Sequence, residues 1–152
     1  MSCCHQLLTV YCCSYDFHGG SFEKDGPLNV HTPIVDCNTG TSARFDIETA
    51  VQHYLNSGVP GAKLTLGLAT YGRTWTVSNA ASAAINSADN VRGSGPAGEC
   101  TIEPGVLAYY EIAAAAQNVQ RDGTKMAAYA SYGSDGWVGY DDPVTLGWKV
   151  SE

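Results

Sequence analysis

The sequence predicts an α/β protein with parallel strands, and three features predict it. Charged residues make up 15% of the 152 and apolar residues 44%, a balance that suits buried strands better than a solvated helical surface. The chain runs strand–helix–strand between Leu7 and Tyr71, the order that gives parallel strands joined by a right-handed crossover. The rhythm then breaks from Thr74 to Gly136, as it does where a small unit is inserted between two elements of a sheet.

Leu7 to His18 reads as a buried strand ending at Gly19–Gly20, and a polar loop bearing Gly and Pro follows from Ser21 to Arg44. Ile47, Ala50, Val51, Tyr54 and Leu55 recur with helical period. Asp46 is placed to cap that helix, with Glu48 in its first turn, and Gly58 and Pro60 stop it. Leu64, Leu66 and Leu68 alternate in a second strand running into Tyr71. Beyond it come an Ala/Ser/Asn-rich stretch, a loop over Gly93–Gly98, and an Ala-rich helix from about Val106 to Gln120, closed by Asp122–Gly123. Trp137 to Tyr140 is a short strand of the same sheet, and Asp142–Pro143 starts a helix with Asp as cap and Pro in the first turn. The chain ends as that helix begins, so it reads as part of a larger unit.

Charge and cysteine usage exclude some functions. Eight basic against fifteen acidic residues give a net charge of −7, and the scattered Lys and Arg form no stripe to neutralise phosphates, so nucleic acid is not an expected partner. No apolar run approaches the roughly 18 residues of a membrane span. Leu7–Cys13 is short for a signal-peptide core and has no Lys or Arg before it. Cys3, Cys4, Cys12 and Cys13 form two adjacent pairs that match no zinc-ligand spacing, even with His5 alongside. No metal and no cofactor are expected. Cys37 and Cys100 are free to pair in an oxidising compartment.

Two catalytic patterns fail on context. Gly93–Gly98 matches G-x-G-x-x-G, but no helical period follows to aim amides at a pyrophosphate. There is no G-x-S-x-G elbow, and Cys13 lies with His18 in or near one strand, as a core cysteine does. The segment Ser14-Tyr15-Asp16-Phe17-His18-Gly19 is more telling. A charged Asp at the end of an apolar strand is costly unless paired or used, and polar strand ends line active sites in parallel barrels. The plainer alternative, Asp16 capping a loop and Tyr15 packing in the core, leads on the residues alone.

Taken together, SYDFHG at Ser14–Gly19, YGR at Tyr71–Arg73, GSGPAGECTIEPGVLAYYEI from Gly93 and WVGYDD at Trp137–Asp142 resemble the C-terminal part of a glycoside hydrolase family 18, chitinase-like domain. The resemblance covers nearly everything from about Tyr11. It implies a partial (β/α)8 TIM barrel, about strands 6 and 7, over residues 1–73, a small α+β insertion domain over 74–136, and a return to the barrel with the start of the next helix over 137–152. It implies binding of chitin or chito-oligosaccharides, hydrolysis of β-1,4 links assisted by the substrate's own acetamide, and an extracellular setting. Tyr15 and Asp16 map to the pair that holds and polarises that acetamide. Asp16 would receive its N–H or share a proton with acidic neighbours from the fourth strand of a whole domain. Tyr71 and Arg73 are candidates for substrate contact, with Arg73 and Trp75 also fixing their strand. Tyr129 and Tyr132 are candidates for stacking on a sugar face, although no Arg accompanies them. Asp141 and Asp142 are expected to be structural. The family's catalytic acid belongs to D-x-x-D-x-D-x-E, which this sequence does not contain, so the chain alone is expected not to hydrolyse chitin. Three readings stay open: part of a chitinase, a non-catalytic chitin-binding lectin-like relative, and a stand-alone α/β protein.

Overall fold

The computed structural model describes residues 9–23, 26–36, 45–87 and 91–151. Cys3, Cys4, His5 and Cys37 lie outside them, as do Leu7 and Leu8 of the predicted first strand. Cys12, Cys13 and Cys100 are free thiols. Among the described residues no helix is long and apolar enough to cross a membrane.

Strand β1 (Val10–Cys12) pairs in parallel with β2 (Leu64–Leu66), Val10 opposite Leu64 and Cys12 opposite Leu66. Helix α1 (Ile47–Asn56) lies between them in sequence, as the crossover reading requires. Asp46 caps it, accepting from Thr49 N at 2.7 Å. Its apolar stripe is only shallowly used, with Ile47 buried and Leu55 exposed.

Both predicted strands are shorter than their apolar patterns. The first stops at Cys12, because Asp16 turns the chain into the left-handed region at φ +65°, which Asp tolerates better than most residues. The second does not run on into Tyr71. The chain leaves the sheet at Gly67, where a Cβ would lie 2.8 Å from the Tyr15 ring, and Tyr71 opens a separate strand.

That strand, β3 (Tyr71–Val77), belongs to a second sheet with β4 (Val91–Ser94), β5 (Val106–Ala108), β6 (Ala116–Asp122), β7 (Ala127–Tyr132) and β8 (Gly136–Tyr140). All its pairings are antiparallel, in the order β4-β3-β8-β7-β6, and β5 also pairs with β3. The placing of Trp137–Tyr140 in the parallel sheet is therefore corrected: β8 sits between β3 and β7. Among the described residues neither sheet closes into a barrel.

The predicted helix over Val106–Gln120 is also corrected. Only Tyr109–Ala115 is helical, as α2, flanked by β5 and β6. Alanine favours helix by tenths of a kcal/mol per residue, and the six-residue ladder of β7 outweighs that preference. Gln117, Gln120 and Arg121 pair with Ser131, Tyr129 and Ala128. A bulge falls between Gln117 and Gln120, with Asn118 at φ +51°. Asp122 then makes the turn into β7 by accepting from Thr124 N and Lys125 N at 2.8 and 3.0 Å.

Two cores lie on the two faces of the antiparallel sheet. Leu107, Ile112, Ala128, Ala130, Val138 and Tyr140 fill one. Leu28, Trp75, Val77, Ala80 and Trp137 fill the other, where Trp75 and Trp137 are directly opposite and pack edge to face at 5.3 Å. The segment predicted as a polar loop covers this second face: Leu28, Asn29, Val30 and His31 are all 0% exposed. Its backbone crosses Gly139, where a Cβ would meet Asn29 O and Val30 Cα at 2.9 Å. Helix α3 (Pro143–Ser151) follows β8. Asp142 Oδ1 accepts from Val144 N and Thr145 N at 3.0 and 2.9 Å, the predicted cap.

Candidate functional site

The chain brings the SYDFHG and YGR segments together around one carboxylate. Asp16 Oδ1 accepts from the Tyr71 hydroxyl at 2.7 Å and from Arg73 Nε at 2.8 Å. Its Oδ2 lies 2.8 Å from Arg73 Nη2, so Arg73 grips it as a two-pronged fork. Alternation along β3 puts Tyr71 and Arg73 on one face, two residues apart, and this face meets the turn that Asp16 makes at the end of β1.

Electrostatics fix the protonation of all three groups. Burial by itself would raise the Asp16 pKa. Hydrogen bonds from Arg73 and Tyr71, with the Arg73 charge, outweigh it and hold the carboxyl well below the usual range. Burial and the Asp16 carboxylate push the Tyr71 hydroxyl up, and the bond to Asp16 raises Arg73 further. At neutral pH the site is an anion held by a neutral phenol and a guanidinium.

Tyr15 stands beside this cluster. Its ring meets that of Tyr71 edge-on at 6.1 Å, and its hydroxyl donates to Cys13 Sγ at 3.5 Å, a weak acceptor. Its pKa is raised, first through that bond. The Arg73 guanidinium lies 5.6 Å from the Phe22 ring and 5.8 Å from the Tyr71 ring.

Tyr129 and Tyr132 are not brought to Asp16. Tyr129 stacks on buried Trp137 at 5.6 Å. It shares a row across the sheet with Gly139 and Arg73, but the Asn29–Val30 backbone lies over Gly139 between them. Tyr132, three residues on, faces the opposite core, and its hydroxyl is buried there.

Sequence reasoning missed His31 and the buried ions around the site. His31 Nε2 lies 3.0 Å from Tyr71 O, and its Nδ1 is 3.4 Å from Asp16 N. Lys125 Nζ reaches Asp36 Oδ1 at 2.6 Å, and the ring of His18 lies between Glu23 and Asp36 at 3.2 and 3.3 Å. Lys149 Nζ reaches Asp141 at 2.7 Å and Thr32 O at 2.6 Å. The polar run Asn29-Val-His31-Thr32 carried the only hint, since such residues are buried only when bonded. No group of three or more metal-ligating side chains occurs among the described residues.

Known proteins share this arrangement of sequence and fold. Human chitinase-3-like protein 2 is 35% identical over 141 residues, covering 90% of this chain and 35% of the relative. The structure of YKL-39 in the presence of chito-oligosaccharides (GlcNAc4) superposes with a TM-score of 0.78 at 33% identity, over 91% of this chain and 38% of that one. A class V chitinase from Nicotiana tobaccum gives 0.79 at 24% identity, over 97% and 40%, a likeness of α/β fold. The chain thus spans about a third of the length of the human relative. The model for glycosyl hydrolases family 18 matches residues 5–152, nearly the whole chain, and the chain belongs to that family.

Proposed function

We propose that this chain binds N-acetylglucosamine oligomers at the Asp16–Tyr71–Arg73 cluster, and that within a family 18 domain it supplies the acetamide-holding side of a substrate-assisted glycosidase. The observation that carries this reading is the fork from Arg73 to Asp16. Oδ1 is taken up by Tyr71 and Arg73 Nε, whereas Oδ2 has Arg73 Nη2 alone among the described residues, leaving it to receive an acetamide N–H. The Tyr15 hydroxyl exchanges its weak thiol acceptor for the acetamide carbonyl. A neutral ligand suits an acidic chain whose one cation at this site is already paired. YKL-39, solved in the presence of chito-oligosaccharides, supports the ligand class.

In such a reaction a carboxylic acid protonates the leaving oxygen while the acetamide oxygen attacks the anomeric carbon. Asp16 stays ionised and steadies the N–H as positive charge develops on the acetamide, and Tyr15 orients the attacking oxygen; both contacts strengthen toward the transition state. With this reading go a barrel part over 1–73, an insertion over 74–136, a return over 137–152, and an extracellular setting. In a second reading, a non-catalytic chitin-binding role, the same cluster holds the acetamide and no acid acts on the bound sugar.

Titration with (GlcNAc)4 by NMR and calorimetry tests both readings, with cellotetraose, which lacks acetamides, as the control. Shifts at Tyr15, Asp16 and Tyr71 with the first sugar only are expected, and Asp16→Asn should weaken them. Equal response to both sugars, or none at millimolar ligand, rules the proposal out.

A further inference from the structure

We propose that His31 is the positioning residue of this site, a buried ring that ties the Asp16 turn to the strand carrying Tyr71 and Arg73. The sugar-binding arm of the test below rests on the proposed function; the spectroscopic arms do not.

His31 is 0% exposed. Its Nε2 lies 3.0 Å from Tyr71 O, and a carbonyl only accepts, so Nε2 carries a hydrogen. In the neutral ring Nδ1 is then a bare lone pair. The group facing it is the Asp16 N–H, with N at 3.4 Å, while Asp16 Oδ1 lies 3.5 Å away. One residue on, Phe17 N donates to His31 O at 3.0 Å. The two peptide N–H groups around the left-handed turn at Asp16 therefore both end on His31. The ring also packs on Tyr71, centroids 4.8 Å apart and planes tilted 40°. One side chain thus fixes the backbone of the carboxylate and the strand of its donors, and touches neither face that a ligand would meet. Position 31 lies 15 residues from Asp16 and 40 from Tyr71, so no local contact can replace it.

Asp16 is faced by Arg73, Tyr71, His31 and, more distantly, Tyr15, and its carboxyl titration reads how well they hold it. Three variants separate the two ring nitrogens. His31→Phe loses both bonds. His31→Asn keeps an acceptor near Nδ1, and His31→Gln keeps a donor near Nε2. In the wild-type chain, nitrogen spectra of the neutral ring should show hydrogen on Nε2. In His31→Phe, the Asp16 amide should shift, its carboxyl midpoint should rise toward the ordinary carboxylate range, and (GlcNAc)4 affinity should fall about tenfold. His31→Asn should restore the Asp16 amide more fully than His31→Gln. If His31→Phe is folded and leaves the Asp16 midpoint and amide unchanged, or if Gln restores the amide better than Asn, the proposal is overturned. Should His31→Phe not fold, the comparison of Asn with Gln decides by itself. A wild-type chain that binds no sugar yet shows these Asp16 shifts would refute the functional reading and uphold the positioning role.

Discussion

Arg73 and Asp16, 57 residues apart, meet through two parallel bonds of 2.8 Å each, Nε to Oδ1 and Nη2 to Oδ2. The fork is a matter of geometry as well as charge. Arg73→Lys keeps the charge and loses one prong. Charged hydrogen bonds typically contribute about 1.5–3 kcal/mol; with the Asp16 side chain 36% exposed, screening reduces the expected loss to about 1 kcal/mol. Urea midpoints of the two proteins measure it, and equal midpoints would mean that the second prong contributes nothing.

Acid should weaken the fold, and the sign follows from three carboxylates. The pKa values of Asp16, Asp36 and Asp142 are each held below the ordinary value: in each case burial opposes the shift and hydrogen bonds from their partners overcome it. A depressed folded pKa adds stability that is present above the unfolded value, about 3.9, and is lost as pH falls through the folded one. Thermal midpoints should therefore be flat from neutral pH to about pH 5 and drop below about pH 4. Asp16→Asn should make that drop shallower; an unchanged acid limb would contradict the assignment.

The Asp141–Lys149 pair should behave as a buried one. Their side chains are 1% and 3% exposed, with Thr32 and Thr145 hydroxyls completing the carboxylate's bonds. Removing Asp141 alone strands an ammonium whose pKa burial already pulls down. Asp141→Ala should cost about 3–5 kcal/mol, whereas replacing both residues with apolar ones of similar size should recover most of it. A double-mutant cycle by urea unfolding checks the coupling; additive losses would show that the two charges are independent.

Asp142 is a cap first. Asp142→Ala should cost about 1 kcal/mol for the cap, with a small, salt-sensitive addition from its contact with exposed Arg121. By contrast Trp75→Ala, which opens a void beneath Trp137, should cost about 3–5 kcal/mol. Chemical denaturation of the two variants gives the ranking, and Asp142→Ala as the more damaging would overturn it.

The purified 152-residue chain is expected not to turn over a fluorogenic chito-oligosaccharide. A single proton donor typically contributes about 10²–10⁴ in rate, and the sequence carries no D-x-x-D-x-D-x-E to provide it. Release of fluorophore above a matched blank would contradict this expectation.

What was legible in the sequence was local. The Asp46 and Asp142 caps could be read because a cap binds backbone two or three residues away. The parallel pairing of β1 with β2 followed from element order. Asp16 stood out because a carboxylate at the end of an apolar run has few uses. Its engagement by Arg73 depends on a register across two sheets that no spacing encodes. The Ala-rich run to Gln120 reads as helix because alanine is the strongest helix former, but its preference is only tenths of a kcal/mol per residue and the partner strand decides its state. Leu28–Thr32 reads only as part of a polar loop because its polar atoms find their partners far away, Thr32 at Asp141 and His31 at Tyr71.

The short turn between Tyr132 and Gly136 has a kinetic meaning. Closing a chain over so few residues loses little entropy, while the β1–β2 pairing must bring together Cys12 and Leu66 across more than fifty residues. Contacts close in sequence form early, and distant parallel ones late. The β7–β8 hairpin is therefore the natural seed, whereas β3 reaches β8 through Trp75 and Trp137 only across a span as long as that of β1 and β2. Asp16 and Arg73, 57 residues apart, meet only through such a distant closure, so the carboxylate site is assembled after the hairpin.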